Sequence, residues 1–127
     1  MRLLIDTHVL IWYLDNFERI PERIKQMILS TQNQRFISIV SIWEIAVKKN
    51  KNKLDINCSL TDLVRILEAK DFILLPIKVN HLETYIKLPY IHKCPFDRLL
   101  TSIAITEKFK FITCDVNIHK YPVDWDW

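Results

Sequence analysis

The stretch MRLLIDTHVLIW at the start of the chain constrains the fold most, because it sets a carboxylate at the junction between two apolar segments. Leu3, Leu4 and Ile5 form a short apolar run bounded by polar residues, the pattern of a strand covered on both faces. Asp6 and Thr7 follow, and either residue type suits a helix N-cap. A buried strand that passes straight into a helix leaves Asp6 at the C-terminal edge of whatever sheet the strand joins. In open α/β sheets that edge binds ligands, near the point where strand order reverses.

The same alternation runs through the rest of the chain. Residues 7–15 (THVLIWYLD) are apolar almost all round, which a helix tolerates only when both faces are covered. Pro21 and Glu22 open a helix over 21–32 with Ile24, Met27 and Ile28 at helical spacing. FISIV at 36–40 reads as the second strand. A helix follows at once in SIWEIAVKKNKNK, with Ser41 and Glu44 at the spacing of a capping box and a basic tail at Lys48, Lys49, Lys51 and Lys53. TDLVRILEAKD at 61–71 predicts a helix capped near Thr61 or Asp62, FILLPI a third strand ended by Pro76, and residues 79–88 a helix closed by Pro89. Pro95 opens an apolar-periodic helix through Leu99, Leu100, Ile103, Ala104 and Ile105, and FIT at 111–113 is a strand followed by Asp115. YPVDWDW supplies a short edge strand and an aromatic tail. With no repeat or linker, strands alternating with helices predict one α/β domain over residues 1–127 with a mainly parallel sheet.

Half of the residues are hydrophobic and 26% are charged, which excludes a disordered or fibrous chain. Gly is absent, so Asn, Asp and Pro must make the turns and no Gly-rich phosphate loop exists. The net charge of +3 permits a nucleic-acid partner without demanding one. Cys58, Cys94 and Cys114 are an odd number without CxxC spacing, and the histidines form no HxxxH pair, so neither a disulfide framework nor a zinc site is expected. A reducing cytoplasm is the simplest setting. The opening apolar stretch is interrupted by Asp6 and His8, and neither a signal peptide nor a membrane anchor is expected.

Asp6, Glu44, Asp97 and Asp115 are far apart in sequence, yet the alternation sends all four to one rim. Asp6, Glu44 and Asp115 come at or shortly after strands, and in a parallel sheet every strand C-terminus lies on one edge. Asp97 opens the helix that leads into the strand at 111–113, so it lies on that edge too. Each acid singly has an ordinary reading: Asp6 as a cap, Glu44 in the capping box, Asp97 complementing a helix dipole, Asp115 in an Asx turn. Together they repel one another unless a cation neutralises them. Oxygen ligands without a Cys or His pair favour magnesium or manganese. An ion there acidifies a water, orients it in line with a phosphodiester and neutralises charge on the leaving oxygen. Thr7, Ser41 and Thr113 are hydroxyls placed to orient a ligand, or to cap and turn the chain. Arg98 can hold a phosphate beside Asp97 or pair with an acid.

In LLIDTHVLIWYL, SIVSIWEIAVKK, PFDRLLTSIAI and FITCD, in that order over nearly the whole chain, the sequence resembles the PIN-domain nucleases, specifically the VapC-like toxins of bacterial type II toxin–antitoxin systems. The resemblance implies a five-stranded parallel sheet between helices and a Mg2+- or Mn2+-dependent endoribonuclease. It also implies a homodimer inhibited by a small antitoxin. Its acidic residues fall on Asp6, Glu44, Asp97 and Asp115, with Thr113 as the hydroxyl of a T-x-D turn. A further acid often follows the last motif in such proteins, whereas Asp115 is followed here by Val116 and Asn117. The competing reading is a catalytically silent PIN-like module that binds RNA or protein. An aspartyl-phosphate reaction at Asp6 is disfavoured, since haloacid-dehalogenase-like phosphatases carry a second acid where His8 stands.

Lys48 and Lys49 can guide RNA phosphates towards the acids, or serve as a solvated helix end, with Lys48 also spaced to pair with Glu44. Trp12, Tyr13 and Trp43 suit a core or a protein interface, and the all-round apolarity of the first helix favours a dimer or antitoxin contact. His8 and His119 are read as hydrogen-bonded structural residues. Trp125 and Trp127 are candidates to cover a sheet edge.

Overall fold

The structure is a computed structural model that describes residues 1–127. Five strands, β1 (Arg2–Ile5), β2 (Gln34–Ser38), β3 (Phe72–Leu75), β4 (Lys110–Ile112) and β5 (Trp125–Asp126), form one sheet in the order β3-β2-β1-β4-β5. Every pairing is parallel, so the sheet is wholly rather than mainly parallel. Six helices connect and cover it: α1 (Thr7–Asp15), α2 (Glu22–Leu29), α3 (Ile39–Asn50), α4 (Leu60–Ala69), α5 (Val79–Lys87) and α6 (Pro95–Glu107). The chain runs outward from β1 through β2 to β3, then returns to lay β4 and β5 on the other side of β1. Strand order therefore reverses between β1 and β4, and the crevice at their C-terminal ends is the expected ligand position.

Alternation along the central strand divides the core. Leu3 and Ile5 pack with Val9, Leu10, Ile24, Ile28, Ile45 and Leu63 on one face. Leu4 packs with Phe36, Leu100, Ile103, Phe109 and Phe111 on the other. The second face is filled largely by α6, which explains its apolar periodicity.

The junction after β2 differs from the sequence reading. The strand ends at Ser38, and the β-branched Ile39 and Val40 already belong to α3. Ser38, not Ser41, is the N-cap, and its hydroxyl accepts from the Val40 N–H at 3.0 Å. The expected capping box of Ser41 and Glu44 does not form, because both side chains point into the protein at the sheet edge and are buried. Similarly, α4 is capped by Ser59, which accepts from the Asp62 N–H, rather than by Thr61 or Asp62.

The glycine-free turns place three residues in left-handed backbone: Asn52 at φ 55°, Asp71 at φ 66° and Lys108 at φ 59°. Asn and Asp are the expected choices there. Lys108 is not, and it is imposed by the end of α6, where the Phe109 N–H bonds to the Ala104 carbonyl so that the buried Phe109 ring can enter the core. All three cysteines are free thiols. No helix is long and apolar enough to cross a membrane.

Candidate active site

Asp6 leaves β1 in extended backbone and caps α1, with one carboxylate oxygen accepting from the Thr7 N–H at 2.7 Å. Its other oxygen accepts from the Thr113 hydroxyl at 2.6 Å, a bond that joins the ends of β1 and β4 across the strand-order reversal. Thr113 Oγ1 in turn accepts from the Asp115 N–H, and Asp115 Oδ1 accepts from the N–H groups of Asn117 and Ile118. The T-x-D segment thus sets the orientation of two acids at once. Thr7 and Ser41 take a different part: the Thr7 hydroxyl donates to Ser41 Oγ at 2.9 Å in the interior, tying α1 to α3.

Asp97 lies in the first turn of α6, where Pro95 occupies the opening helical position. It is 9% exposed, and Glu44 on α3 is 5% exposed. One Glu44 oxygen lies 3.3 Å from Lys48 Nζ, whereas the other, Oε1, is buried with no hydrogen-bond partner.

The acids act on one another electrostatically. Burial pushes the Asp6 carboxyl up to about 7, aided by the charge of Asp97 and opposed by the hydrogen bonds from Thr113 and Thr7. Burial also raises Asp97 to about 6, with repulsion from Glu44 and Asp115 adding to it and the nearby His92 opposing it. For Asp115, burial acts to raise the pKa, but the hydrogen bond from His92 and those from the backbone of Asn117 and Ile118 hold it below the ordinary carboxylate range. Asp97 is the electrostatic centre of the group: Glu44 and Asp115 repel it, and its own charge repels Asp6.

His92 was not singled out by sequence reasoning. Its Nε2 lies 2.9 Å from Asp115 Oδ2 and 3.1 Å from Asp97 Oδ2, and its Nδ1 accepts from the Cys94 N–H at 3.0 Å. A lone histidine in a loop has no diagnostic spacing. The available signal was its position between Pro89 and Pro95, which confine the loop just before the Asp97 helix.

Two of the proposed phosphate contacts fall elsewhere. Arg98 is buried, donates to the Pro89 carbonyl and the Tyr121 hydroxyl, and lies against the rings of Tyr85 and Tyr90 at 4.9 and 4.8 Å. A helix turns by roughly 100° per residue, so the residue after Asp97 faces the α5–α6 side instead of the acids. Lys49 donates to the Cys58 carbonyl at 2.7 Å and fastens the chain beyond α3. Lys48 alone of the basic tail contacts an acid of the cluster.

The aromatic residues divide in the same way. Tyr13 packs edge-on against Phe17 and Phe72, and Trp12 lies against Trp127, so both complete the core beside α1. Trp43 stays 53% exposed, edge-on to Phe96 at 4.6 Å. His119 stacks on Trp125 and bonds to the Thr113 carbonyl, while His8 is exposed near Trp12.

The donor set suits a hard divalent cation. Asp97 is repelled by Glu44 and Asp115 and repels Asp6, Asp6 and Asp97 are held above their ordinary pKa by burial and this repulsion, and a buried Glu44 oxygen has no partner within the protein. Asp6, Glu44, Asp97 and Asp115 are the residues that would hold the ion.

No curated protein matches the chain in sequence. In fold it is similar to a chain of the VapBC2 complex of Rickettsia felis bound to a DNA fragment from their promoter, with a TM-score of 0.74 at 18% identity over 99% of this chain and 98% of that one. It is also similar to a chain of a toxin–antitoxin complex from Klebsiella pneumoniae, with a TM-score of 0.66 at 18% identity over 98% and 96% of the two chains. The likeness extends to FitAcB from Neisseria gonorrhoeae, with a TM-score of 0.58 at 16% identity over 91% and 89%. The PIN domain family matches residues 3–124, from the first strand to the approach to the last, and the chain belongs to that family.

Proposed function

We propose that the protein is a Mg2+- or Mn2+-dependent endoribonuclease and the toxin of a type II toxin–antitoxin pair, working in the cytoplasm. The observation that carries the reading is the buried Glu44 oxygen without a partner, in a cluster where Asp97 is repelled by Glu44 and Asp115 and itself repels Asp6. Such a group is stable as anions only with a cation among them. Bound by these residues, an ion would supply an acidified water and charge neutralisation at the leaving oxygen of an RNA phosphodiester. The protein supplies geometry: Thr113 and the Thr7 N–H fix the Asp6 carboxylate, the Asn117 and Ile118 N–H groups fix Asp115, and the N-terminus of α6 presents Asp97. Lys48, paired with Glu44 at the rim, is the cation best placed to meet an RNA phosphate.

The similarity in fold to toxin–antitoxin complexes supports an antitoxin partner. A groove of about 540 Å³ beside α1, floored by apolar residues such as Ile11, Leu14, Leu63 and Ile66 and rimmed by Asp15, Asp55, Asn57 and Lys70, supports a seat for such a partner. The exposed stripe of Val79, Leu82 and Ile86 on α5 suits a homodimer contact.

Pure protein with Mg2+ or Mn2+ is expected to cleave single-stranded RNA. Asp97→Asn and Asp6→Asn are expected to lower the rate by at least two orders of magnitude while the variants keep their fold. Unchanged cleavage in both folded variants would exclude the acids from the reaction. RNA or partner binding that survives loss of the acids, without cleavage under any divalent ion, would establish a silent binding module instead.

A further inference from the structure

His92 donates its ring N–H to Asp115 with Asp97 close beside the same nitrogen, and the surrounding backbone dictates which ring nitrogen carries the proton. The Cys94 N–H donates to Nδ1 at 3.0 Å, so the Nδ1 lone pair is engaged and Nδ1 bears no hydrogen. The proton of the neutral ring therefore sits on Nε2, which faces Asp115 Oδ2 at 2.9 Å and Asp97 Oδ2 at 3.1 Å. Three further contacts hold the loop that carries this ring. The N–H groups of Ile91 and His92 donate to the Tyr121 hydroxyl, and Arg98 binds the Pro89 carbonyl.

We infer that His92 is a positioning residue, a latch that holds Asp115 through its Nε2–H, keeps Asp97 beside the same nitrogen, and yields its place to a divalent ion without ligating it. The inference rests on the metal-dependent reading above and concerns what this ring does at the same site. His92, Asp97 and Asp115 do offer three donor atoms within 4.8 Å of one another, an arrangement that invites a third-ligand reading. The tautomer argues against it. A histidine ligates through a lone pair, and Nε2 has none while Nδ1 accepts from Cys94. Ligation through Nε2 would move the proton to Nδ1 and set it against the Cys94 N–H, donor to donor. The latch needs no change of protonation: the ring turns aside with its proton when the carboxylates take the ion. The Nε2–H partly offsets the repulsion between Asp97 and Asp115, so it competes with the ion for the same oxygens.

Calorimetric titration of Mn2+ into wild-type protein, His92→Ala and His92→Gln tests this directly. Removing the competing hydrogen bond is expected to tighten Mn2+ binding about fivefold in His92→Ala, the worth of one net hydrogen bond. His92→Gln keeps an N–H donor near the place of Nε2, and its affinity is expected to lie close to wild type. A tenfold or greater loss in His92→Ala would make His92 a ligand, and unchanged affinity would show that it does not compete. Long-range 1H–15N spectra of the wild-type imidazoles supply a readout that needs no variant. On Mg2+ addition the His92 proton is expected to remain on Nε2, whereas transfer to Nδ1 would overturn the latch. If wild-type protein binds neither ion, the metal-dependent reading itself falls. If it binds and His92→Ala is not tighter, that reading stands and the latch alone is lost.

Discussion

At the scale of single residues, the site is built against the stability of the chain that carries it. Asp6 is raised to about 7 and Asp97 to about 6, chiefly by burial and then by the neighbouring acids. A carboxyl raised in the folded state keeps its proton after the unfolded chain has lost it. Stability therefore falls as pH climbs from the unfolded value, 3.8, through the folded values, and levels off above about 7. The slope is roughly 1.4 kcal/mol per pH unit for each group over its own window. Asp115, held below its ordinary value, has the opposite sign and acts only in more acid solution. In chelator, the melting temperature is expected to be lower at pH 8 than at pH 5, and saturating Mg2+ should remove most of that difference. Asp6→Asn keeps an acceptor for the Thr7 N–H while removing the buried charge, so in chelator at pH 8 it should melt above wild type. A melting temperature that rises with pH in chelator would contradict the burial argument.

At the scale of elements, the junctions where strand passes to helix were legible to different degrees. The β1–α1 junction could be read because its apolar run, its cap and its acid are consecutive, and Asp6 caps α1 as expected. The β2–α3 junction departs from its local pattern: Ile39 and Val40 favour strand locally, while packing against both layers of the core draws them into the helix. Glu44 was still placed on the correct rim, since moving a helix start by a turn does not change the edge from which it departs. His92 and the turning of Arg98 away from the acids depend on tertiary contacts with Tyr121 and Pro89 that no local pattern encodes. The end of α6 carries the most direct local conflict. Lys108 is exposed and lies at φ 59°, where a side chain costs about 1 kcal/mol and glycine costs little. Lys108→Gly is accordingly expected to stabilise the protein by roughly 0.5–1 kcal/mol in urea unfolding, net of the added flexibility of the unfolded chain. Lys108→Ala should change it little, and equal responses of the two variants would show that the backbone there is not strained.

At the scale of the whole molecule, the layers place the acids and the exposed apolar surface on different elements. The inner face of α5 packs on α6 through the pair of His81 with Glu107 and that of Thr84 with Thr106. Its outer face leaves Val79 and Ile86 about three quarters exposed, at 73% and 75%, with Leu82 between them at helical spacing. A contiguous stripe of this kind is costly in water and is relieved when two copies meet. A stable contact needs about 800 Å² per partner, so neighbouring exposed residues such as Tyr90 must join the helix in it. Ile86→Glu places a charge on the most exposed residue of the stripe without disturbing the core. By light scattering on a sizing column, wild-type protein is expected at twice the chain mass of 15.3 kDa and Ile86→Glu at 15.3 kDa. Because α5 contributes none of the four acids, the separated variant should still bind Mn2+ as wild type does. Wild-type protein running at the mass of one chain, or Ile86→Glu remaining at twice it, would remove α5 as the dimer surface. A monomeric variant that also lost Mn2+ would mean that the carboxyl edge and the α5 face are one coupled unit, not two independent surfaces of the same sheet.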